Sequence, residues 1–181
     1  MPRIETQRLI LRDFTPADWE YVHEYGSDPR VVRYVPFGPN SLAQSKAYTW
    51  HLLKLKRKKP RKDICLLIHS KEEGCPVGGC RLNAEGSIHQ DAGLGYVLIH
   101  RYWGKGYATE AAKALIQYGF SKMRLHRIWA TCDIRNKVSA RVLEKAGMKR
   151  EGLLRKNVFQ KGQWRDSYLY AILEPKTRQR H

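Results

Sequence analysis

The chain has 181 residues, 42% of them hydrophobic, enough for one domain with a core of its own. No run of about 18 apolar residues occurs, and the opening "MPRIETQRLI" holds no apolar leader. These features predict no membrane association and a cytoplasmic location, and the formal net charge of +17 favours anionic ligands over polycationic ones.

In chain order, residues 8–14 ("RLILRDF") alternate as an opening strand. A helix follows over 15–28, with Thr15 as N-cap and Pro16 in its first position. Residues 27–40 form a connection broken by Pro29, Pro36 and Pro39. A second helix over 41–59 stops at Pro60. Its end carries the densest basic block, "KLKRKKPRKD", which reads either as a solvated helix end suited to the macrodipole or as a nucleic-acid patch. Strands at 63–70 and 76–83 flank a polar turn, and a third apolar strand spans 92–100.

Residues 107–123 have a strong helical pattern, with Ala108, Ala111, Ala112, Leu115, Ile116 and Gly119 on one packed face. A strand at 126–134 leads to a helix over 136–147, opened by Asn136 and closed by Gly147. Strands at 153–160 and 164–173 close the chain as a hairpin around Lys161 and Gly162. The predicted order is β-α-α-β-β-β-α-β-α-β-β, a mixed α/β (α+β) single domain over 1–174 with a frayed tail at 175–181.

The four cysteines, Cys65, Cys75, Cys80 and Cys132, lack the second ligand pair that a zinc site requires. Reduced thiols and no metal are expected. The stretch "RYWGKGYATEA" puts Gly104 and Gly106 at the turn into the helix that starts at Tyr107, with Lys105 between them. A helix N-terminus offers unpaired N–H groups and partial positive charge to a phosphate, and glycine lets the phosphate approach the backbone. The spacing is not that of a P-loop, and it supplies only the first two glycines of a dinucleotide fingerprint. A phosphate cradle and a tight strand-to-helix turn anchored by Trp103 both fit.

"RYWGKG" resembles the acetyl-CoA motif R/Q-x-x-G-x-G/A of the GNAT superfamily of N-acetyltransferases. "ETQRLILRDFTPADWE", "SDPRVVRY", "GYVLIHRYWGKGYATEAAKAL", "LHRIWATCDIRNKVSARVLEKAGMKREG" and "GQWRDSYLYAIL" resemble, in the same order, the branch that acetylates ribosomal-protein alanine. The resemblance implies a mostly antiparallel sheet splayed into a V and flanked by helices. It implies that the backbone of Val97, Leu98 and Ile99 pairs with the pantetheine of acetyl-CoA. The turn Trp103, Gly104, Lys105, Gly106, Tyr107, Ala108 and Thr109 would hold the pyrophosphate. Asn136 would bond the pantetheine region and Lys145 would lie near the adenosine.

The same resemblance implies acetyl transfer to an amine, with the Leu98 N–H as oxyanion donor. The tyrosine that many relatives use as acid is Leu143 here, and the N-x-x-S pattern makes Ser139 the candidate proton donor to the leaving sulfur. Two positions where relatives carry a glutamate are Gly93 and Val158, so no base is evident; Glu85, His89 and Asp91 are nearby in sequence. Tyr34 is the candidate acceptor-lining residue, in the variable 31–40 segment. The expected acceptor is a protein N-terminal amine, with a small-molecule amine as the alternative, and the chain is expected as monomer or homodimer. Docking on ribosomal RNA through residues 54–62, or an RNA-docking module without catalysis, are the further readings of the basic block.

Overall fold

The computed structural model describes residues 2–84 and 86–175. Eight strands make one open sheet in the spatial order β1-β2-β3-β4-β5-β6-β8-β7. They are β1 (Ile4–Glu5), β2 (Leu9–Arg12), β3 (Asp63–Ser70), β4 (Cys75–Asn83), β5 (Asp91–Leu98), β6 (Arg127–Asp133), β7 (Lys149–Gln160) and β8 (Gln163–Leu173). The helices are α1 (Trp19–Ser27), α2 (Leu42–Leu55), α3 (Tyr107–Ser121) and α4 (Lys137–Lys145). All neighbouring strands are antiparallel except β5 and β6. This is the α/β (α+β) architecture expected from sequence.

Side-chain parity along β4 sorts the helices. A Cβ at Gly79 would face Phe14 and, at 3.8 Å, the Tyr25 hydroxyl of α1, whereas Leu82 lies against Gly119 of α3. Odd and even strand positions point to opposite faces, so α1 with α2 and α3 with α4 cover opposite sides. β3 is therefore buried on both faces, which is why "ICLLI" reads as a continuous apolar run, with Leu66, Leu67 and Ile68 fully buried.

Several boundaries differ from the sequence expectation. The first helix begins as a 3-10 turn at Pro16–Asp18, because the Asp18 carboxylate accepts from the Thr15 N–H (2.6 Å) and hydroxyl (2.8 Å) and is clamped by Arg12. α2 starts at the Ser41 cap but ends at Leu55, before the run Lys56 to Lys59. Like charges at helical spacing repel, and a residue before proline avoids the helical region. The basic block is then partly structural: Arg61 pairs with Asp13 at 2.6 Å, while Lys54, Arg57 and Lys59 are exposed. The short β1 was not foreseen, and β7 begins four residues earlier than expected. The 176–181 part of the predicted tail lies outside the described residues.

Gly78 sets the spacing of the central strands. A Cβ there would lie 2.1 Å from the Val97 carbonyl oxygen. Gly78→Ala should force β4 from β5 and cost about 1–3 kcal/mol, lowering Tm by roughly 5 °C. Thermal unfolding followed by circular dichroism checks this; a Tm within a degree of the parent would contradict the spacing.

Candidate active site

The sheet splits between β5 and β6. Their parallel pairing covers only Asp91, Ala92 and Gly93 against Arg127, Ile128 and Trp129. Beyond it, β5 stays on β4 while β6 stays on β8. The Ile99 N–H donates to Val77 O at 2.9 Å, and the register extends that parity to Val97 and Gly95. The backbone groups of Leu98 and Tyr96 therefore point into the split. The Leu98 carbonyl accepts from the Trp103 indole N–H at 3.0 Å, leaving the Leu98 N–H aimed into the opening. Of the three residues expected to pair with pantetheine, Ile99 is corrected: its N–H is already bound to β4. Val97 has the same parity.

At the end of β5 a 3-10 turn, His100–Tyr102, leads into the glycine turn. Gly104 and Gly106 have φ of +79° and +83°, a region that side chains rarely adopt. Gly106 is the N-cap of α3, and no side chain caps that helix. Of the other helices, Ser41 caps α2 and Asn136 caps α4, whereas α1 continues from the 3-10 turn without a side-chain cap of its own. The first N–H groups of α3 are thus open to an external acceptor, as a pyrophosphate would be.

The side chains of the turn mostly do other work. Trp103 is 42% exposed, holds the Leu98 carbonyl and packs on His100, with ring centroids 4.8 Å apart. Tyr107 is fully buried and bonds Ser70 and Glu72, so it could offer only its backbone. Lys105 pairs with Glu73 at 2.5 Å. Ala108 and Thr109 lie in the first turn of α3. Thr109, Gly106 and Lys145 share one groove of about 600 Å³, together with Lys113, which sequence reasoning missed. Lys113 and Lys145 join Arg8 as the cations of this groove; Glu5 and Glu110 line it too, Glu110 being paired with Arg8.

Ser139 sits across the split, in the first turn of α4. Its Oγ is 2.9 Å from the Tyr96 hydroxyl, which also donates to the Ser139 carbonyl at 3.1 Å. Asn136 Oδ1 accepts from the Ser139 N–H at 3.1 Å and fixes the turn. Burial pushes the Tyr96 hydroxyl well above the usual phenol range, partly opposed by its bond to Ser139, so it stays protonated. Tyr96 was missed in the sequence. Its only signal is the Gly-Tyr pair, and its partner is 43 residues away. Leu143, at the position of the relatives' tyrosine, is buried in the core.

On the α1/α2 face lies a cavity of about 570 Å³, reached from β5 at Gly95, Tyr96 and Val97. Val35, Pro36 and Phe37 line it, but Tyr34 does not. Tyr34 is instead flanked by Arg33 and Arg135, at 5.3 and 5.4 Å from its ring centre. The 31–40 segment therefore reaches this cavity through Val35, Pro36, Phe37 and Asn40 rather than through Tyr34.

No carboxylate or histidine lines this cavity among the described residues. Its titratable groups are held protonated: burial raises Cys65 and Tyr48 each to about 12 and raises Tyr25 and Cys80 further. Gly93 packs on Trp129, and Val158 pairs with Arg165 in the outer hairpin. Asp91 is bound to Ser87 and to the Trp129 indole N–H at the root of the split. His89 is exposed, and Glu85 lies outside the described residues. Among the described residues no cluster of three metal-ligating side chains occurs and no helix is long and apolar enough to cross a membrane. All four cysteines are free.

Comparison with known proteins places this geometry. A family model described as an acetyltransferase (GNAT) domain matches residues 8–149. The chain is 40% identical over 171 residues to the uncharacterized N-acetyltransferase YnaD of Bacillus subtilis, covering 94% of this chain and 96% of that one. A GNAT-family acetyltransferase structure from Bacillus anthracis superposes with a TM-score of 0.83 at 37% identity, covering 95% and 98% of the two chains. The chain therefore belongs to the GNAT family and is an N-acetyltransferase. Two Escherichia coli relatives carry acceptors in their names. Spermidine N(1)-acetyltransferase is 26% identical over 91% of this chain and 85% of its own. [Ribosomal protein uS5]-alanine N-acetyltransferase is 37% identical over 50% of this chain and 46% of its own.

Proposed function

We propose that the chain transfers acetyl from acetyl-CoA to the primary amine of a small molecule. The observation that supports this most is the arrangement about the split: an uncapped helix end on one face, a half-open, mostly apolar cavity on the other, and Ser139 bonded to Tyr96 of β5. Of the two acceptors expected from sequence, the protein N-terminus is the less well served. β4 and β5 are paired with each other along the cavity floor, and the free edge of β5 faces the split, where the pantetheine would take it, so it is not left for a peptide backbone.

The residues fit acetyl-CoA, which when bound supplies an activated thioester. The N–H groups after Gly106 would hold its pyrophosphate, with Lys113 and Lys145 along the groove. The Leu98 and Tyr96 backbone would pair with the pantetheine, near the Asn136 amide. The Leu98 N–H is placed to donate to negative charge on the acetyl oxygen. Ser139 Oγ–H would hand a proton to the departing sulfur and recover one from the attacking nitrogen, while Tyr96 keeps the hydroxyl aimed.

With every titratable group of the cavity held protonated, the amine must enter neutral. Desolvation in an apolar cavity selects that form. Thiol release from acetyl-CoA in the presence of primary amines tests the reading, and absence of release with every amine would refute it. The pH dependence tests the missing base. kcat/KM should rise with pH through the pKa of the free amine, and the midpoint should move when the amine is changed. A midpoint fixed near the histidine range, about pH 6.5, for all amines would reveal a side-chain base.

A further inference from the structure

The cavity has a distinctive chemistry. Phe14, Tyr25, Phe37, Tyr48 and Leu52 wall it, and Gly79 and Gly95 form its floor. Among the described residues Arg81 is the one charged residue of the lining, and Asp63 neutralises it. Nε and NH2 of Arg81 bond both oxygens of the buried Asp63, at 2.7 and 2.5 Å. The other polar groups of the lining are neutral: the hydroxyls of Tyr25, Tyr48 and Tyr96, the last bonded to Ser139, and the amides of Asn40 and Gln44, the Gln44 oxygen already accepting from the Ser41 N–H at 2.8 Å.

A second ammonium group entering this space would lose its hydration and meet no carboxylate. The net charge of +17 adds to that penalty. A carboxylate would meet an arginine whose fork is already occupied. A flat apolar body meets aromatic walls and releases water. The volume, about 570 Å³, lies within the range of small-ligand sites. From these observations we infer that the acceptor is a compact primary amine with an uncharged, aromatic or aliphatic body, of the arylalkylamine class, rather than a polyamine, an amino acid or a peptide. The assignment rests on the acetyl-transfer reading for its reaction, though the preference of the cavity is independent of turnover.

Gly95 supplies the control variant. A Cβ at Gly95 would meet nothing within 4 Å, and its φ is ordinary for a strand, so Gly95→Val should fold and project into the cavity. The test titrates the CoA-saturated protein with 2-phenylethylamine, spermidine and an Ala-starting tripeptide by calorimetry, and measures thiol release with the same three acceptors. The expected result is binding of 2-phenylethylamine about 100-fold tighter than either competitor, a like ratio in kcat/KM, and at least a tenfold loss in Gly95→Val with CoA affinity unchanged. Preferred binding of 2-phenylethylamine without any thiol release would uphold the acceptor class and remove the acetyl-transfer reading. Preference for spermidine or the peptide, binding unmoved by Gly95→Val, or no binding of 2-phenylethylamine would overturn the acceptor class, whatever the enzyme's turnover.

Discussion

Replacing Gly106 by valine should raise the Kd for acetyl-CoA by about 100-fold or more. Two physical effects act together. The backbone at Gly106 has φ of +83°, where a β-branched residue costs about 1–3 kcal/mol, so the turn will shift or strain. A Cβ there already approaches Arg8 at 3.3 Å, and the two added methyls would stand beside the open N–H groups of α3. Arg8 is held by Glu110 at 2.8 Å and donates to the Lys105 carbonyl at 3.0 Å, so it has little freedom to yield. Tm should fall by several degrees from the backbone strain alone. Calorimetry of the folded variant separates the effects: an unchanged Kd would mean that the pyrophosphate does not lie at this helix end.

Ser139→Ala should lower kcat by about 100-fold and leave the acetyl-CoA Kd within about threefold. The fold should survive because the bond lost, between the serine hydroxyl and Tyr96, leaves both residues with other partners. Asn136 caps α4 through the Ser139 N–H, and Tyr96 retains the Ser139 carbonyl. What disappears is the hydroxyl bonded to Tyr96 across the split, while Tyr96, held protonated by burial, keeps its own proton. Steady-state thiol release together with a binding titration distinguishes this from a folding defect. Full turnover would take Ser139 out of the chemistry and leave proton delivery to Tyr96 or solvent.

Local signals were readable wherever local physics sets the structure. β3 was readable to the residue because burial on both faces writes an unbroken apolar run between polar turns. The ends of α4 were readable because Asn136 caps it and Gly147, at φ +94°, leaves it. The glycine turn was readable because positive φ at Gly104 and Gly106 requires that residue type. β1 has two residues and no pattern to detect. β7 hid its first turn of strand in "KREG", exposed residues of an outer strand whose pairing is interrupted by two register shifts.

The missed parts of the site are those made by distant residues. Tyr96 meets Ser139 across 43 positions, and Arg81 loses its free charge to Asp63 18 positions away. The turn gave Lys105 as a phosphate cation; its partner Glu73 comes from the β3–β4 turn, which nothing local connects to it. Tyr34 lies between Arg33 and Arg135 rather than in the cavity lining that Val35, Pro36 and Phe37 form, a contact to a residue 101 positions away that the local sequence does not announce. The absence of a carboxylate at Gly93 and Val158 was readable, and under the proposed function it fits an amine that enters an apolar cavity already neutral.

A crystal structure with coenzyme A bound tests the central claim most directly. The account predicts the pyrophosphate on the N–H groups following Gly106, the pantetheine in the split along Tyr96 and Leu98, and the sulfur within hydrogen-bond reach of Ser139 Oγ. Coenzyme A seated elsewhere, or a sulfur remote from Ser139 with the split left empty, would contradict it.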